Sequence, residues 1–168
     1  MLDDDGRFVD VSDLPVTPVG RKGRPQLNGR LFAERLQAIL QSTTKCDTFV
    51  IVEDIGPRPK QGVSSMFRFG VSLGVILGVL GALELPFLMV PPTRWKKAAG
   101  LGKDKDESRT LALRYWPEAA AFLQRKKDNN RSDALLLARF GFTQGRGAPP
   151  QKGTHDRRAD HEGQPSRT

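Results

Sequence analysis

The sequence predicts an α/β domain with a mixed β-sheet and helices on both of its faces. Two short apolar runs, at residues 48–52 and 86–90, have the continuous hydrophobicity of strands buried in a parallel sheet. Helical patterns flank both runs, and this alternation of strands with helices is typical of the class. With 168 residues and 38% hydrophobic content, the chain can build one core, so we expect a single folded domain.

The chain opens on a turn signal. The segment "DDDGRFVDV" at residues 3–11 couples an Asp-Gly turn to an alternating strand, a pattern typical of a hairpin. Because only Met1 and Leu2 precede the turn, we expect the first arm to be almost absent. Residues 15–25 carry three Pro and two Gly and predict a loop, after which Asn28 is expected to cap an amphipathic helix.

Predicted strands and helices alternate through the rest of the chain. In order, they are the buried strand at 48–52, a long and largely buried helix at 62–84, a second buried strand at 86–90, a basic turn, an amphipathic helix and a final helix at 132–140. From residue 143 onward, large apolar residues almost disappear. We therefore expect a domain at residues 1–142 and a disordered basic tail at residues 143–168.

The charge balance points to a polyanionic partner. The formal net charge is +8 and the isoelectric point is about 10.1. Each phosphate that Lys or Arg neutralises releases condensed counterions, so nucleic acid or an anionic membrane surface would satisfy this charge. The single Cys46 cannot form an internal disulfide, and the two His residues near the C-terminus offer no zinc site with it. We expect a reduced, cytoplasmic protein.

Residues 70–90 form the most apolar stretch and raise the question of a membrane span. Glu84 and Pro86 interrupt the stretch, which leaves fewer than the roughly 18 uninterrupted apolar residues that a spanning helix needs. A buried helix followed by a buried strand is the interpretation we favour. No signal peptide is visible at the acidic N-terminus, and no membrane partner is expected.

Two carboxylates occupy positions that are costly for a charge. Glu53 follows the buried strand at 48–52, and acids at the carboxyl ends of such strands lie where open α/β sheets place their sites. Asp133 begins the final apolar helix, where an acid alone would usually serve the helix dipole. Carboxylates that come together repel one another unless a cation lies between them, and hard ions such as Mg²⁺ select carboxylate oxygens.

These segments resemble a known family. The strand "TFVIVEDIGPRP", the stretch "QGVSSMFRFG" after it, "VPPTRWKK" after the next strand and the ending "SDALLLA" are together similar to the RuvC-like Holliday-junction resolvases of the ribonuclease H-like superfamily. The resemblance covers most of residues 7–142. It implies a five-stranded central sheet with helices on both faces, and hydrolysis of branched DNA that depends on Mg²⁺ or Mn²⁺.

The resemblance also implies site residues. Glu53 matches the acid at the end of the family's fourth strand, and Asp133 matches the acid of the last helix, so both are expected to be catalytic and to bind metal. Asn130, one helical turn earlier, and Asp128 are the further candidate ligands, whereas Asp54 is disfavoured. The family holds another Asp on its first strand, and no segment here matches it, so we expect the domain to be N-terminally truncated.

Basic residues surround both acids in the sequence and are the candidate DNA contacts. They are Arg58, Lys60, Lys96, Lys97, Arg125, Lys126 and Lys127. Any one of them could equally be a solvated surface charge, but their clustering favours phosphate contacts. Trp95, Trp116, Phe67 and Phe69 could stack on bases, although core packing is the default for them. The segment "HDRRADHE" at 155–162 is expected to contact DNA nonspecifically rather than bind metal.

The resemblance and the residues together predict a Mg²⁺-dependent endodeoxyribonuclease of the crossover-junction type, with two Mg²⁺ ions clamping the phosphodiester in an intact site. A homodimer is expected because two DNA strands must be cut symmetrically. The alternative is a DNA-structure-binding protein whose catalysis is impaired by the missing first strand and by Asn130. The preferred DNA structure and any phage origin are left open.

Overall fold

The α/β class is confirmed by the structure, a computed structural model that describes residues 1–21, 23–41, 48–56, 62–102, 104 and 106–145. The strands are β1 (Val16–Val19), β2 (Arg24–Leu27), β3 (Val50–Glu53) and β4 (Phe87–Val90). The helices are α1 (Gly29–Gln41), α2 (Val63–Ala82), α3 (Pro92–Ala98), α4 (Glu107–Tyr115) and α5 (Asn129–Gly145), with 3₁₀ turns at Pro117–Phe122 and Lys126–Asp128.

The strands of the described residues lie in two separate two-stranded sheets, β1 with β2 and β3 with β4, instead of joining in one larger sheet. β3 and β4 are parallel, as the apolar runs predicted, and their register pairs Glu53 with Val90. Both strands therefore end at the same edge. Because α3 begins at Pro92, directly after β4, its side chains are delivered to that edge.

The prediction of a loop at residues 15–25 is wrong, because the hairpin of β1 and β2 forms there. Pro18 and Pro25 lie opposite each other in the antiparallel register. The Asn28 N–H donates to the Pro15 carbonyl, which makes residues 15 and 28 a hydrogen-bonded pair. In an antiparallel pair, hydrogen-bonded and non-hydrogen-bonded residue pairs alternate along the strands. Pro18 and Pro25 therefore form a non-hydrogen-bonded pair, where neither proline needs a backbone N–H.

The N-terminal turn forms as its sequence predicted. Leu2 and Phe8 make an isolated antiparallel bridge, and Gly6 closes the turn at φ 76°, in the left-handed region that glycine favours. The cap of α1 is also confirmed, since the Asn28 Oδ1 accepts the Leu31 N–H at 3.1 Å.

The helix α2 is not buried, which contradicts the expectation for residues 62–84. Leu80 is its buried residue, while Val63 and Phe67 are 85% and 73% exposed. The helix starts earlier than the apolar stretch that begins at residue 70, and its 20 residues are long and apolar enough to cross a membrane by length and composition alone. Only 6% of its most apolar window is fully buried. Leu73 and Ile76 pack against the second core cluster, whereas the side of the helix that carries Val63, Phe67 and the glycines is exposed.

Three further expectations are corrected. The strand β4 was expected to be buried, but Phe87 and Leu88, which point to opposite faces of the sheet, are 38% and 39% exposed, so the described residues leave both faces partly uncovered at this end of β4. The segment predicted to be a basic turn forms the helix α3. Pro92 is its first residue, a position where the backbone N–H has no partner within the helix, so a proline fits there. The final helix, expected at residues 132–140, is longer at both ends and spans Asn129–Gly145.

The main core surrounds α3 and α5. Its fully buried residues include Trp95, Ala112, Ala119 and Leu135, with Val90 from the end of β4. Both tryptophans have core positions, since Trp116 is 4% exposed. A second, smaller cluster of Val52, Leu80 and Leu85 lies between β3 and α2.

The helix α5 approaches β3 closely at Gly141. A Cβ at this position would lie 2.3 Å from the Ile51 Cγ1 and 2.5 Å from its Cδ1, far inside van der Waals contact. The absence of a side chain at residue 141 therefore sets the distance between α5 and β3. This contact matters because Asp133 lies on α5 and Glu53 ends β3.

We expect Gly141→Ala to lower the free energy of unfolding by about 1–3 kcal/mol, because the methyl group must displace Ile51 and push α5 away from β3. This loss should outweigh the gain of up to about 1 kcal/mol that Ala brings to a helix interior. Urea denaturation followed by circular dichroism measures the difference.

The control is Gly56→Ala, outside the helices, where a Cβ would meet nothing within 4 Å and should be nearly neutral. In a double-mutant cycle, Ile51→Ala should relieve the cost of Gly141→Ala, giving a favourable coupling of about 0.5–3 kcal/mol. A Gly141→Ala protein as stable as the wild type would show that the close approach is absent.

Candidate functional site

Glu53 lies at the end of β3, where the sequence predicted it. Its partner in the register, Val90, is fully buried, whereas Glu53 is half-buried and the following Asp54 is exposed. The Asp54 N–H donates to the Val90 carbonyl at 2.9 Å, so the pairing of the two strands continues just past Glu53. The Glu53 carboxylate is thus fixed at the edge where the parallel strands end.

Trp95 holds this carboxylate from the core side. The Trp95 side chain is fully buried, and its indole Nε1 donates a hydrogen bond of 3.0 Å to the Glu53 Oε1. A buried indole N–H needs an acceptor, and here the acceptor is a carboxylate 42 residues away in the sequence.

Asp133 of α5 contacts Lys96, the residue that follows Trp95 in α3. The Lys96 Nζ lies 3.5 Å from the Asp133 Oδ2 and 5.1 Å from the centre of the Trp95 ring. The Lys96 and Asp133 side chains are 42% and 32% exposed, so solvent reaches this pair. The two acids, Glu53 and Asp133, are therefore contacted by consecutive residues of α3.

Asp128 has a different environment. Its carboxylate is 4% exposed and accepts hydrogen bonds from Arg125: the Arg125 N–H and Nη2 each lie 2.9 Å from one of its oxygens. The Arg131 Nη1 is 4.0 Å away, and Arg131 also pairs with Asp13 through Nη2 at 2.7 Å. These pairs fasten the segment around Asp13 to the beginning of α5.

The same contacts shift three pKa values. Hydrogen bonds from the Arg125 side chain and backbone hold the pKa of Asp128 below its usual range. The hydrogen bond from Arg131 likewise lowers the pKa of Asp13, and the Asp13 partner raises the pKa of Arg131. These groups stay charged and paired at neutral pH, and the pairs secure the start of α5. Asp128 as a metal ligand stays a prediction.

The remaining candidate ligand is Asn130, which is exposed on α5 one turn before Asp133. In the part of the chain that the structure describes, no three acidic, cysteine or histidine side chains come together as a metal-binding group. The candidate site therefore rests on two carboxylates, Glu53 and Asp133, with Asn130 as a possible neutral oxygen ligand.

The candidate DNA contacts divide into three groups. Lys97 and Lys127 are exposed, and Lys96 is half-buried against Asp133. Arg125 is engaged with Asp128, although its side chain remains 55% exposed. Arg58, Lys60 and the side chain of Lys126 lie outside the described residues, as do Cys46 and the segment 155–162.

The aromatic candidates also divide. Trp95 and Trp116 are buried, so neither offers a ring face to a base in this structure. Phe67, for which core packing was the default, is instead 73% exposed on the first turns of α2, and Phe69 is half-buried.

Two functional features could not be found in the sequence alone. The hydrogen bond from Trp95 to Glu53 joins residues far apart in the chain, and the only local signal was a Trp next to Lys96 at the start of a segment opened by two prolines. The ion pairs of Arg131 with Asp13 and Asp128 are the second, and the sequence gives no local signal for the contact with Asp13, which lies 118 residues away.

Comparison with known proteins supports the resemblance seen in the sequence. Over 73 residues the chain is 39% identical to "Holliday junction resolvase MOC1, chloroplastic" of Chlamydomonas reinhardtii. The match covers 42% of this chain and 8% of that protein. The similarity to Holliday-junction resolvases is thereby confirmed over that part of the chain. No family model matches the sequence.

Two solved structures are also similar to this chain. The Thermus thermophilus RuvC in complex with a Holliday junction substrate is 15% identical, has a TM-score of 0.47 and covers 77% of this chain and 86% of its own. The structure of Thermus thermophilus RuvC is 17% identical, has a TM-score of 0.42 and covers 77% and 87%.

Proposed function

We propose that this chain is a divalent-metal-dependent endonuclease that cleaves branched DNA, such as a Holliday junction, by phosphodiester hydrolysis. The observation that carries the proposal is that consecutive residues of α3 contact both acids: Trp95 donates to Glu53, and Lys96 pairs with Asp133. The similarity to a Holliday-junction resolvase over 73 residues supports the branched substrate. The cytoplasmic location and the domain limits at residues 1–142 stay predictions.

The chemistry of the donor set fits one hard divalent cation. Glu53 has its Oε1 engaged by Trp95, which leaves Oε2 as a ligand, and Asp133, which Lys96 contacts, would add carboxylate oxygens. Mg²⁺ and Mn²⁺ accept one or two carboxylates and complete their shell with water and phosphate oxygens. A bound cation of this kind would supply Lewis-acid stabilisation of charge on the phosphodiester oxygens. A second ion would need ligands in addition to these two acids.

The protein residues divide the remaining work. Lys96, already next to Asp133, would place a positive charge beside the scissile phosphate, and the exposed Lys97 and Lys127 would contact neighbouring phosphates and fix the register of the DNA. Water attacks the phosphorus, the bond to the 3′ oxygen breaks, and the products are a 5′ phosphate and a 3′ hydroxyl. The protein's role in this step is to orient the phosphate and stabilise its charge.

The partner proposed for α2 is a second copy of the chain. Its exposed residues Val63, Phe67, Gly70, Gly74, Gly78 and Gly81 recur every three or four positions and so form one line along the helix. A Cβ at any of these four glycines would meet nothing within 4 Å, so another backbone could approach closely along that line. A homodimer would also provide the two sites that symmetric cleavage of a junction needs.

We expect Glu53→Gln and Asp133→Asn each to reduce cleavage of a synthetic four-way junction by at least about a hundredfold in Mg²⁺ or Mn²⁺, because each removes a charged ligand. Junction binding should remain close to that of the wild type, since Lys and Arg contacts to phosphates supply most of the affinity. Denaturing gels of labelled junction strands measure cleavage, and gel-shift titrations measure binding.

The matched control is Asp54→Asn, which neutralises the exposed acid next to Glu53 and should leave cleavage nearly unchanged. Junction binding by the wild-type chain without any metal-dependent cleavage would overturn the proposal in favour of a protein that only recognises branched DNA. Cleavage that survives Glu53→Gln would remove Glu53 from the site.

For the dimer, we expect Gly74→Leu to shift the chain from dimer to monomer at micromolar concentration, because the side chain blocks the close approach, while its Cβ meets no described atom within 4 Å. Sedimentation velocity measures the change. The control is Gly56→Leu, outside α2, where a Cβ also meets nothing within 4 Å. A wild-type chain that is monomeric and floats with neutral lipid vesicles would show that lipid, and not a second copy, covers α2.

A further inference from the structure

The two tryptophans of the core donate their indole N–H to acceptors of different kinds. Each is almost completely buried and must find an acceptor for its indole N–H. The Trp116 Nε1 donates to the backbone carbonyl of Gly6 at 3.0 Å, an ordinary solution. The Trp95 Nε1 donates to the Glu53 side chain, also at 3.0 Å. One core tryptophan therefore fastens a loop, and the other fastens a proposed metal ligand.

Trp95 also contacts the second acid through Lys96. The Lys96 ammonium lies 5.1 Å from the centre of the indole ring, within the range in which a cation is attracted to an aromatic face. The same ammonium lies 3.5 Å from the Asp133 Oδ2. The indole N–H thus holds Glu53, while the face of the ring helps to hold the Lys96 ammonium that pairs with Asp133.

The position of Trp95 itself is fixed by packing. It shares the main core with Val90 at the end of β4 and with Leu135 and Leu136 of α5, and none of these three is more than 2% exposed. A side chain held in this way has no rotamer freedom to lose when its partners bind a ligand. Hydrogen bonds from such fixed groups orient the carboxylates that bind metals.

We propose that Trp95 is a positioning residue of the cation site. Its indole N–H fixes the Glu53 Oε1 so that Oε2 is turned to the cation, and its ring seats Lys96 beside Asp133. This inference rests on the proposed cation site at Glu53 and Asp133 and adds the residue that sets its geometry.

The first test compares Trp95→Phe with Trp116→Phe, which removes the same N–H and a similar volume from the same core. Isothermal titration calorimetry with Mn²⁺ should show an affinity about 10–100-fold weaker for Trp95→Phe, the usual cost of losing a group that orients a ligand. Trp116→Phe should keep the wild-type affinity. The Mg²⁺ concentration for half-maximal junction cleavage should rise in parallel for Trp95→Phe, and saturating Mg²⁺ should restore most of the rate.

A second measurement leaves Trp95 in place and decides the matter if Trp95→Phe does not fold. In Trp116→Phe, Trp95 is the one remaining tryptophan, so its fluorescence reports on its own surroundings. Adding Mg²⁺ should change this emission, and the change should disappear when Glu53→Gln is combined with Trp116→Phe. The complementary Trp95→Phe protein, when it folds, should show no Mg²⁺-dependent change from Trp116.

Two results would overturn the inference: a folded Trp95→Phe protein with wild-type Mn²⁺ affinity, or Trp95 emission that ignores Mg²⁺ while Glu53-dependent Mn²⁺ binding is measured by calorimetry. The proposed function fails separately. If Mn²⁺ binding depends on Glu53 and on Trp95 but no junction is cleaved, the positioning role stands and the nuclease proposal falls.

Discussion

The arrangement of the proposed site depends on one hydrogen bond, from the buried Trp95 indole to the Glu53 carboxylate. The helix α3 begins directly after β4, so the parallel pairing of β3 and β4 determines where Trp95 enters the core. Once Trp95 is packed, its N–H can reach the end of β3, and the next residue, Lys96, reaches Asp133 on α5. A core tryptophan thereby connects the packing of the domain to the placement of two acids.

Each of the two acids has a partner from α3. The neutral indole N–H of Trp95 donates a hydrogen bond to Glu53, and the Lys96 ammonium pairs with Asp133. Asp128, a third acid nearby in the sequence, is neutralised separately by Arg125 and Arg131. The ion pairs of Asp128 secure the start of α5, and the proposed cation site uses the other two acids.

Local signals predicted a large part of the fold and of the site. The Asn28 cap and amphipathic pattern predicted α1, the apolar run before Glu53 predicted β3, and the Ala- and Leu-rich segment predicted the helix that carries Asp133. The exposure of α2 could not be predicted. The apolar pattern of this helix predicts burial, but the pattern is the same whether its own chain or a partner covers the helix. The β1–β2 hairpin was missed because Pro is usually excluded from strands, and only the register shows that its prolines occupy positions that need no N–H. The contact of Trp95 with Glu53 is nonlocal, so no window of the sequence contains it.

The central claim is that Glu53 and Asp133 share one divalent cation at the edge set by Trp95. Crystals grown with Mn²⁺ and measured near the manganese absorption edge test this most directly, since anomalous scattering locates the ion without any assumption about its ligands. We expect a peak with oxygens of both carboxylates at about 2.0–2.4 Å, the range of hard cations and carboxylate ligands. A manganese ion bound elsewhere, or one that touches only one of the two acids, would contradict the claim.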